Sequence, residues 1–127
     1  MQIKPVLGFE DTHIVTSTGV IYVLPRLVHQ PNHPFQKTRL TNFRALKPGR
    51  NKKGYLKVIL NSGDGKQESA YVHRVVAKAF IKNINNKSQI NHKNMIKSCN
   101  DAFNLEWVTN NENQAHWSLF NKMAKGV

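Results

Sequence analysis

Hydrophobic and polar positions along the chain fall into short runs with two different periods. His13–Ser17 and Val20–Leu24 are brief, β-branched and aromatic-rich, and Thr18-Gly19 between them predicts a small hairpin. Pro25 to about Asn42 holds three prolines, two histidines and no sustained periodicity, which reads as a loop or an extended arm. Arg44–Lys47 is a candidate short strand, after which Pro48-Gly49 turns the chain. Tyr55–Leu60 alternates apolar and polar residues, and Glu68–Val72 is its expected partner. Gly63 and Gly65 in the connection supply the positive φ that a hairpin loop requires. The period then changes. Val72, Val75, Val76, Ala79 and Phe80 recur at helical spacing and predict a helix over about 72–81, with one apolar face against the sheet.

Lys82–Ser88 is polar and asparagine-rich and reads as a linker. Beyond it, Gln89–His92 is a short strand candidate, Lys93–Ala102 a polar loop, and Phe103–Val108 a second strand begun by Asn104. Thr109 and Glu112 form a T-x-x-E capping box, so a helix is expected from Asn110 to about Lys122, with Gly126 just past its end. Trp107 reads as core. Ala115, Trp117, Leu119, Phe120 and Met123 read mainly as packing. The fold class expected is α+β, in two small modules. Residues 1–82 form a small antiparallel sheet with one helix; residues 83–127 form a strand–loop–strand–helix unit.

Charge narrows the list of partners. Nineteen Lys and Arg against seven Asp and Glu give a net charge of +12 in 127 residues. A field of that sign favours polyanions, because phosphate neutralisation releases condensed counterions. The imbalance is also uneven. No acidic residue occurs between Thr12 and Gly63, a span that contains Arg39, Arg44, Lys47, Arg50, Lys52, Lys53 and Lys57. This reads as a phosphate-facing surface. No apolar stretch approaches eighteen residues, which argues against a membrane span. The first residues lack the apolar core and small-residue cleavage site of a secretory signal. Cys99 is the only cysteine, which rules out an internal disulfide and a thiolate zinc site and fits a reducing, cytoplasmic setting. Charge alone leaves DNA, RNA, binder and enzyme all open.

The strand–loop–strand–helix unit carries three polar residues that can converge. His92 ends the first strand, Asn104 begins the second, and Asn113 lies one turn into the helix, with its side chain able to point back across the hairpin. Phosphodiester hydrolysis needs a base for water and a cation for the developing charge. An imidazole titrates near neutrality. Amide oxygens of Asn91 and Asn113 suit a hard divalent ion that keeps most of its waters. Spacing alone also fits a turn whose histidine and asparagines simply satisfy one another.

The segments YVHRVVAKAFI and INHKNMIKSCNDAFNLEWVTNNEN resemble the HNH homing endonucleases of phages and introns, at His73, Arg74, Val76, Ala77, Ala79 and Phe80, then Asn91 and His92, then Lys97 or its neighbours and Asn100, and finally Asn104–Thr109 with Glu112 and Asn113. Upstream, HIVTSTGVIYVL and RALKPGRNKKGYLKVIL are similar to the small DNA-recognition module such nucleases carry, so the likeness runs from about His13 to Asn113. It implies a ββα-metal unit acting on double-stranded DNA with Mg²⁺ or Mn²⁺, as a monomer or weak homodimer, in the cytoplasm of a bacterial host of a phage or other mobile element. A further protein partner stays open. His92 would be the general base and Asn104 the asparagine that pins the loop and orients the imidazole. Asn91 and Asn113 would be metal ligands. His73, Arg74, Lys93 and Lys97 join the expected DNA contacts, although for His73 support of the site from behind and a simple packed or capping position are equally open. The unit would approach the scissile phosphate from the minor groove and leave 5′-phosphate and 3′-hydroxyl ends. Nicking and double-strand cleavage are both open, as is a relative that binds DNA without cutting it. Lys93-Asn94-Met95 stands where the family usually has Ile-Asp-Gly, so this turn must form without glycine.

Overall fold

The computed structural model describes residues 1–124; Gly126, expected just beyond the last helix, lies outside them. Among the described residues the architecture is α+β, with small antiparallel sheets arranged around a central short helix. β1 (Ile3–Pro5), β2 (His13–Thr16), β3 (Ile21–Val23) and β6 (Arg44–Ala45) form one sheet in that order. The strand β1 was not foreseen. Its three residues are all exposed, so no apolar alternation announces it.

β7 (Gly49–Arg50), β8 (Leu56–Asn61) and β9 (Gln67–Tyr71) form a second sheet. β8 alternates as its sequence demands. Val58 and Leu60 point inward and are buried, while Lys57, Ile59 and Asn61 face out. β4 (Leu27–His29) and β5 (Thr38–Leu40) pair only with each other, in the register Leu27↔Leu40, Val28↔Arg39 and His29↔Thr38. The segment expected as a loop is therefore a two-stranded ribbon. Its strands have only three residues each and little buried surface, so periodicity had nothing to register.

α1 (Val72–Phe80) is the keystone. A helix of nine residues is marginal in isolation. Here Val72, Val75, Val76 and Ala77 join Val6, Phe9, Val15 and Ile21 of the first sheet region and Val58 and Leu60 of the second. Ile90 and Leu105, from the C-terminal hairpin, complete the same apolar cluster. Each such fully buried aliphatic side chain contributes about 1.5–3 kcal/mol of transfer free energy. The helix stops where Ile81 turns to extended backbone while its N–H still reaches the Ala77 carbonyl.

β10 (Gln89–His92) and β11 (Leu105–Val108) form the hairpin, paired Gln89↔Val108 through His92↔Leu105. Asn104 does not begin the strand as expected; it closes a single 3-10 turn, Ala102–Asn104, just before it. The Asn104 amide is used by the loop rather than by a strand ladder. α2 (Asn110–Ala124) then crosses the hairpin. Its start is a reciprocal cap: Glu112 N–H donates to Thr109 Oγ1 at 3.2 Å, and Thr109 N–H to Glu112 Oε1 at 3.0 Å. That backbone bond, with the Lys87 ammonium 2.9 Å away, holds the Glu112 carboxyl down at about 2. Leu119, Phe120 and Met123, expected as packing, are exposed, because α2 meets the hairpin mainly through its first half.

Candidate active site and nucleic-acid interface

His92 ends β10 and is nearly sealed, with 5% of its surface exposed. Its Nε2 lies 2.9 Å from Asn100 Oδ1. With Asn100 placed so that its oxygen, an acceptor only, faces the ring and its Nδ2 is buried without a partner, the ring proton belongs on Nε2 and the Nδ1 lone pair is left for other work. Nδ1 accepts no hydrogen bond from the described residues, nor is it among their buried polar atoms without a partner. Burial lowers the imidazole pKa; the Asn100 bond opposes that, and the Lys97 cation adds to it. The ring is therefore neutral at pH 7, the form a base needs.

The loop that carries Asn100 is pinned by Asn104. Its Oδ1 accepts the Asn94 N–H at 3.0 Å, and its Nδ2 donates to Asn94 Oδ1 and to the Cys99 carbonyl at 3.0 and 2.9 Å. Lys93 N–H donates to the Asn104 carbonyl at 2.8 Å. Where the related pattern has glycine, Met95 takes φ +65°, the left-handed region that costs a residue with a Cβ about 1–2 kcal/mol. The turn forms, and the strain stays in it.

The two expected metal ligands are both amides held by their nitrogens. Asn91 Nδ2 donates to Glu106 Oε1 at 2.9 Å, directly across the hairpin. Asn113 Nδ2 donates to Gln89 Oε1 at 3.1 Å, which ties α2 to the face of β10 that Gln89 and Asn91 share. Asn113 Oδ1 is buried and without a partner, an arrangement that normally costs about 1–3 kcal/mol. His116 Nε2, three residues further along α2, is orphaned in the same way. No cluster of three His, Cys, Asp or Glu exists among the described residues. Oxygen donors of this kind fit a hard divalent ion and do not suit a soft one.

Of the positions open to His73, the structure takes the packed one behind His92, with ring centroids 5.2 Å apart and its Nδ1 unpartnered. Burial first, then the neighbouring His92 and Arg74, pulls its pKa down to about 4. Tyr55 packs on both imidazoles, at 5.2 and 5.9 Å. Arg74 donates to the Ser88 carbonyl at 2.9 Å and so braces the linker. Lys97, also expected at DNA, is engaged within the protein. Its ammonium lies 4.9 Å from the Tyr55 ring and 5.3 Å from the Trp117 ring, and donates to the Lys53 carbonyl at 2.7 Å. Lys93 is exposed beside α2, in a small cleft with Asn94, Met95 and His116.

Four of the predicted basic contacts do come together. Arg44, Lys47, Arg50 and Lys57 line a shallow groove of about 590 Å³ across the outer face of the second sheet, with Ile59 and Ser69 on its floor and no carboxylate among its lining residues. Lys52 and Lys53 are exposed in the β7–β8 turn at its end. Arg39 stands apart, on the ribbon. Sequence reasoning matched Asn100 and Glu106 to the family pattern without giving them a role, and singled out neither Gln89 nor Tyr55. Only the cross-strand pairing Asn91↔Glu106 could have been guessed from the register of two short strands.

Residues 70–115 match a family described as HNH endonuclease. An uncharacterized HNH endonuclease of Acanthamoeba polyphaga mimivirus is 38% identical over 96 residues, covering 68% of this chain and 24% of that protein. The DNA endonuclease I-HmuI of Bacillus phage SP01 is 29% identical over all 127 residues, which make up 60% of its length. The solved structure of that HNH homing endonuclease superposes with a TM-score of 0.68 over 99% of this chain and 60% of the other. The chain thus spans about a quarter of the viral relative and under two thirds of the phage one.

Proposed function

Because this chain belongs to the HNH homing endonuclease family, we propose that it is a divalent-metal-dependent DNA endonuclease that hydrolyses a phosphodiester with His92 as general base. The observation that carries this reading is a buried, neutral His92 bonded to Asn100 at the end of β10, on the strand whose other end, at Gln89, bonds the helix that bears the orphaned carbonyl oxygen of Asn113. Asn100 fixes the proton on Nε2, and Nδ1 takes a proton from water. Asn104 holds the loop so that this geometry does not relax. Asn91 and Asn113 would hold Mg²⁺ or Mn²⁺ through their amide oxygens; the ion would stabilise charge on the phosphate and the leaving oxygen. Both amides are neutral, so DNA phosphate must supply much of the affinity. Residues 83–127 serve as the catalytic unit and residues 1–82 as the recognition module, its basic groove following the DNA backbone. No described helix is long and apolar enough to cross a membrane.

The test is cleavage of phage and host genomic DNA with Mg²⁺ or Mn²⁺, with and without chelator, followed by mapping of new ends. His92→Ala is expected to stop cutting and leave binding intact. Wild-type rates in that variant would remove His92 as the base. Salt-sensitive binding with no turnover under any divalent ion would reduce the protein to a DNA-binding relative.

A further inference from the structure

Four buried side-chain polar atoms find no partner among the described residues, and they fall in two places. His73 Nδ1 and Asn100 Nδ2 belong to the side chains packed around His92. The other two, Asn113 Oδ1 and His116 Nε2, lie one turn apart on α2. Residues at i and i+3 are neighbours on a helix surface, and an oxygen donor followed by a histidine at that spacing is an arrangement that closes on one metal ion. His116 as a whole is half-buried, yet its Nε2 is shut in completely. A histidine that merely packs does the reverse, burying carbon and leaving nitrogen to water or to a hydrogen bond.

The strand opposite runs past both atoms. Alternation along β10 puts Gln89 and Asn91 on one face, and the Gln89 bond to the Asn113 amide shows that this face meets α2. His116 is met just beyond the end of the same strand, in a cleft of about 190 Å³ shared with Lys93 and Met95 and rimmed by Leu119, Phe120 and Met123. Asn91 therefore stands along the strand between the level of Asn113 and the level of His116. The apolar rim restricts water at the imidazole. Lys93 is exposed on a flexible stem, free to turn to a DNA phosphate instead of facing a cation.

We propose that His116 is a third protein ligand to the divalent ion held by Asn91 and Asn113, coordinating through Nε2, and that it decides which ions the site accepts. This rests on the endonuclease reading and adds a metal-selecting residue to it. Coordination through Nε2 leaves the ring proton on Nδ1. Two amide oxygens suit Mg²⁺ and Mn²⁺ alike, whereas an imidazole nitrogen favours the later ions, in the order Mn²⁺ < Co²⁺ < Ni²⁺. A site with His116 bound is thus expected to hold Co²⁺ more tightly than Mg²⁺, and a site of amides alone to lose most of that difference.

Pulsed electron paramagnetic resonance of Mn²⁺ on the full chain, with a mixed-sequence duplex present, reads the ligand directly, because a bound imidazole imprints nitrogen modulation on the ion. The wild type and His92→Ala are expected to show that modulation and His116→Ala to lose it. Co²⁺ affinity, measured above the background of duplex alone, should fall at least about tenfold in His116→Asn, since losing even an outer-sphere partner costs a metal site that much. Mg²⁺ affinity should hold, because asparagine offers an oxygen in place of the nitrogen. Modulation that persists in His116→Ala gives the nitrogen to another histidine and overturns the proposal. Mn²⁺ bound by the wild type without nitrogen modulation overturns it as well and leaves an endonuclease with two amide ligands. A chain that binds no Mn²⁺ beyond the duplex background overturns both readings. Melting curves of the variants guard against loss of fold, and where alanine unsettles α2 the polar His116→Asn carries the same spectroscopic test.

Discussion

Replacing Lys97 by methionine separates two readings of the same charge. The residue lies in the loop between β10 and β11, at a position first expected to touch DNA, yet its ammonium is packed between the Tyr55 and Trp117 rings and bonded to the Lys53 carbonyl. It therefore joins the second sheet, the active-site loop and α2. Each cation–π contact at a half-exposed site contributes about 0.5–1 kcal/mol, and the charge-assisted hydrogen bond about 1 more. Methionine keeps most of the stem and removes all three, so about 2 kcal/mol should be lost. In a domain of this size that lowers the melting temperature by about 6–10 °C. A phosphate contact would leave a different trace: the slope of log K against log salt would become shallower by about 0.9. Thermal denaturation and salt-titrated anisotropy on one duplex read both quantities. The expected result is a lower melting temperature with an unchanged slope, reversed by Lys97→Arg, which restores both cation and donor. A wild-type melting temperature with a shallower slope would refute the clamp and return Lys97 to the DNA surface.

Other perturbations test the supports around the same loop. Gly19 has φ +93°, and a Cβ there would lie 2.9 Å from the Asn100 carbonyl oxygen. Gly19→Ala should cost about 2 kcal/mol from the left-handed backbone alone and should slow cleavage more than it weakens binding, because Asn100 must shift under His92; equal rates on bound DNA would break that link. Met95→Gly should raise stability by about 0.5–1 kcal/mol in urea titration, as strain at φ +65° exceeds the added chain entropy; a loss would mean the Met95 side chain packs better than its backbone suffers. His73 has a folded pKa of about 4 against an unfolded value near 6.5. The unfolded chain therefore takes up a proton first as pH falls, and stability drops between pH 6.5 and 4, by roughly 2.5 kcal/mol at pH 4.5 from this group. His13 and His92, both lowered mainly by burial, act in the same sense. Denaturant titrations of His73→Phe should show a flatter acid limb, and an identical limb would mean His73 titrates as if exposed.

Long or strongly periodic elements were legible in the sequence and marginal ones were not. The α1 stripe, the alternation in β8 and the Thr109–Glu112 cap each carry a local physical signal strong enough to read without neighbours. β1 and the ribbon carry none, since their strands bury almost nothing and exist because a partner strand is placed beside them. The positions of His92, Asn104 and Asn113 could be taken from the HNH-like pattern, but not their supports. Asn100, Gln89 and Tyr55 are ordinary polar or aromatic residues in sequence, and only the folded hairpin brings them against the site. At His73 and Lys97 the pattern gave positions but not packing: burial and ring stacking decide where each side chain goes.

The proposed ligand pair, two neutral amides, becomes intelligible from its anchors. A carboxylate presents oxygen whichever way it turns, but an amide can turn its nitrogen toward a cation and repel it. Here the NH₂ ends of Asn91 and Asn113 are each tied down, by Glu106 and Gln89, which leaves only the carbonyl ends to face a ligand. Glu106 does a second thing. It places a carboxylate beside position 91, so an aspartate there would set two negative charges within hydrogen-bond distance, at a cost that rises as water is excluded. A negative charge therefore stands directly across the hairpin from position 91, and an amide there is the side chain that can bond to it. The site keeps an anionic neighbour without a like-charge clash. If the two amides hold the cation as proposed, its binding would be linked to the arrival of phosphate oxygens, and the assembled site would form only on the DNA-bound protein.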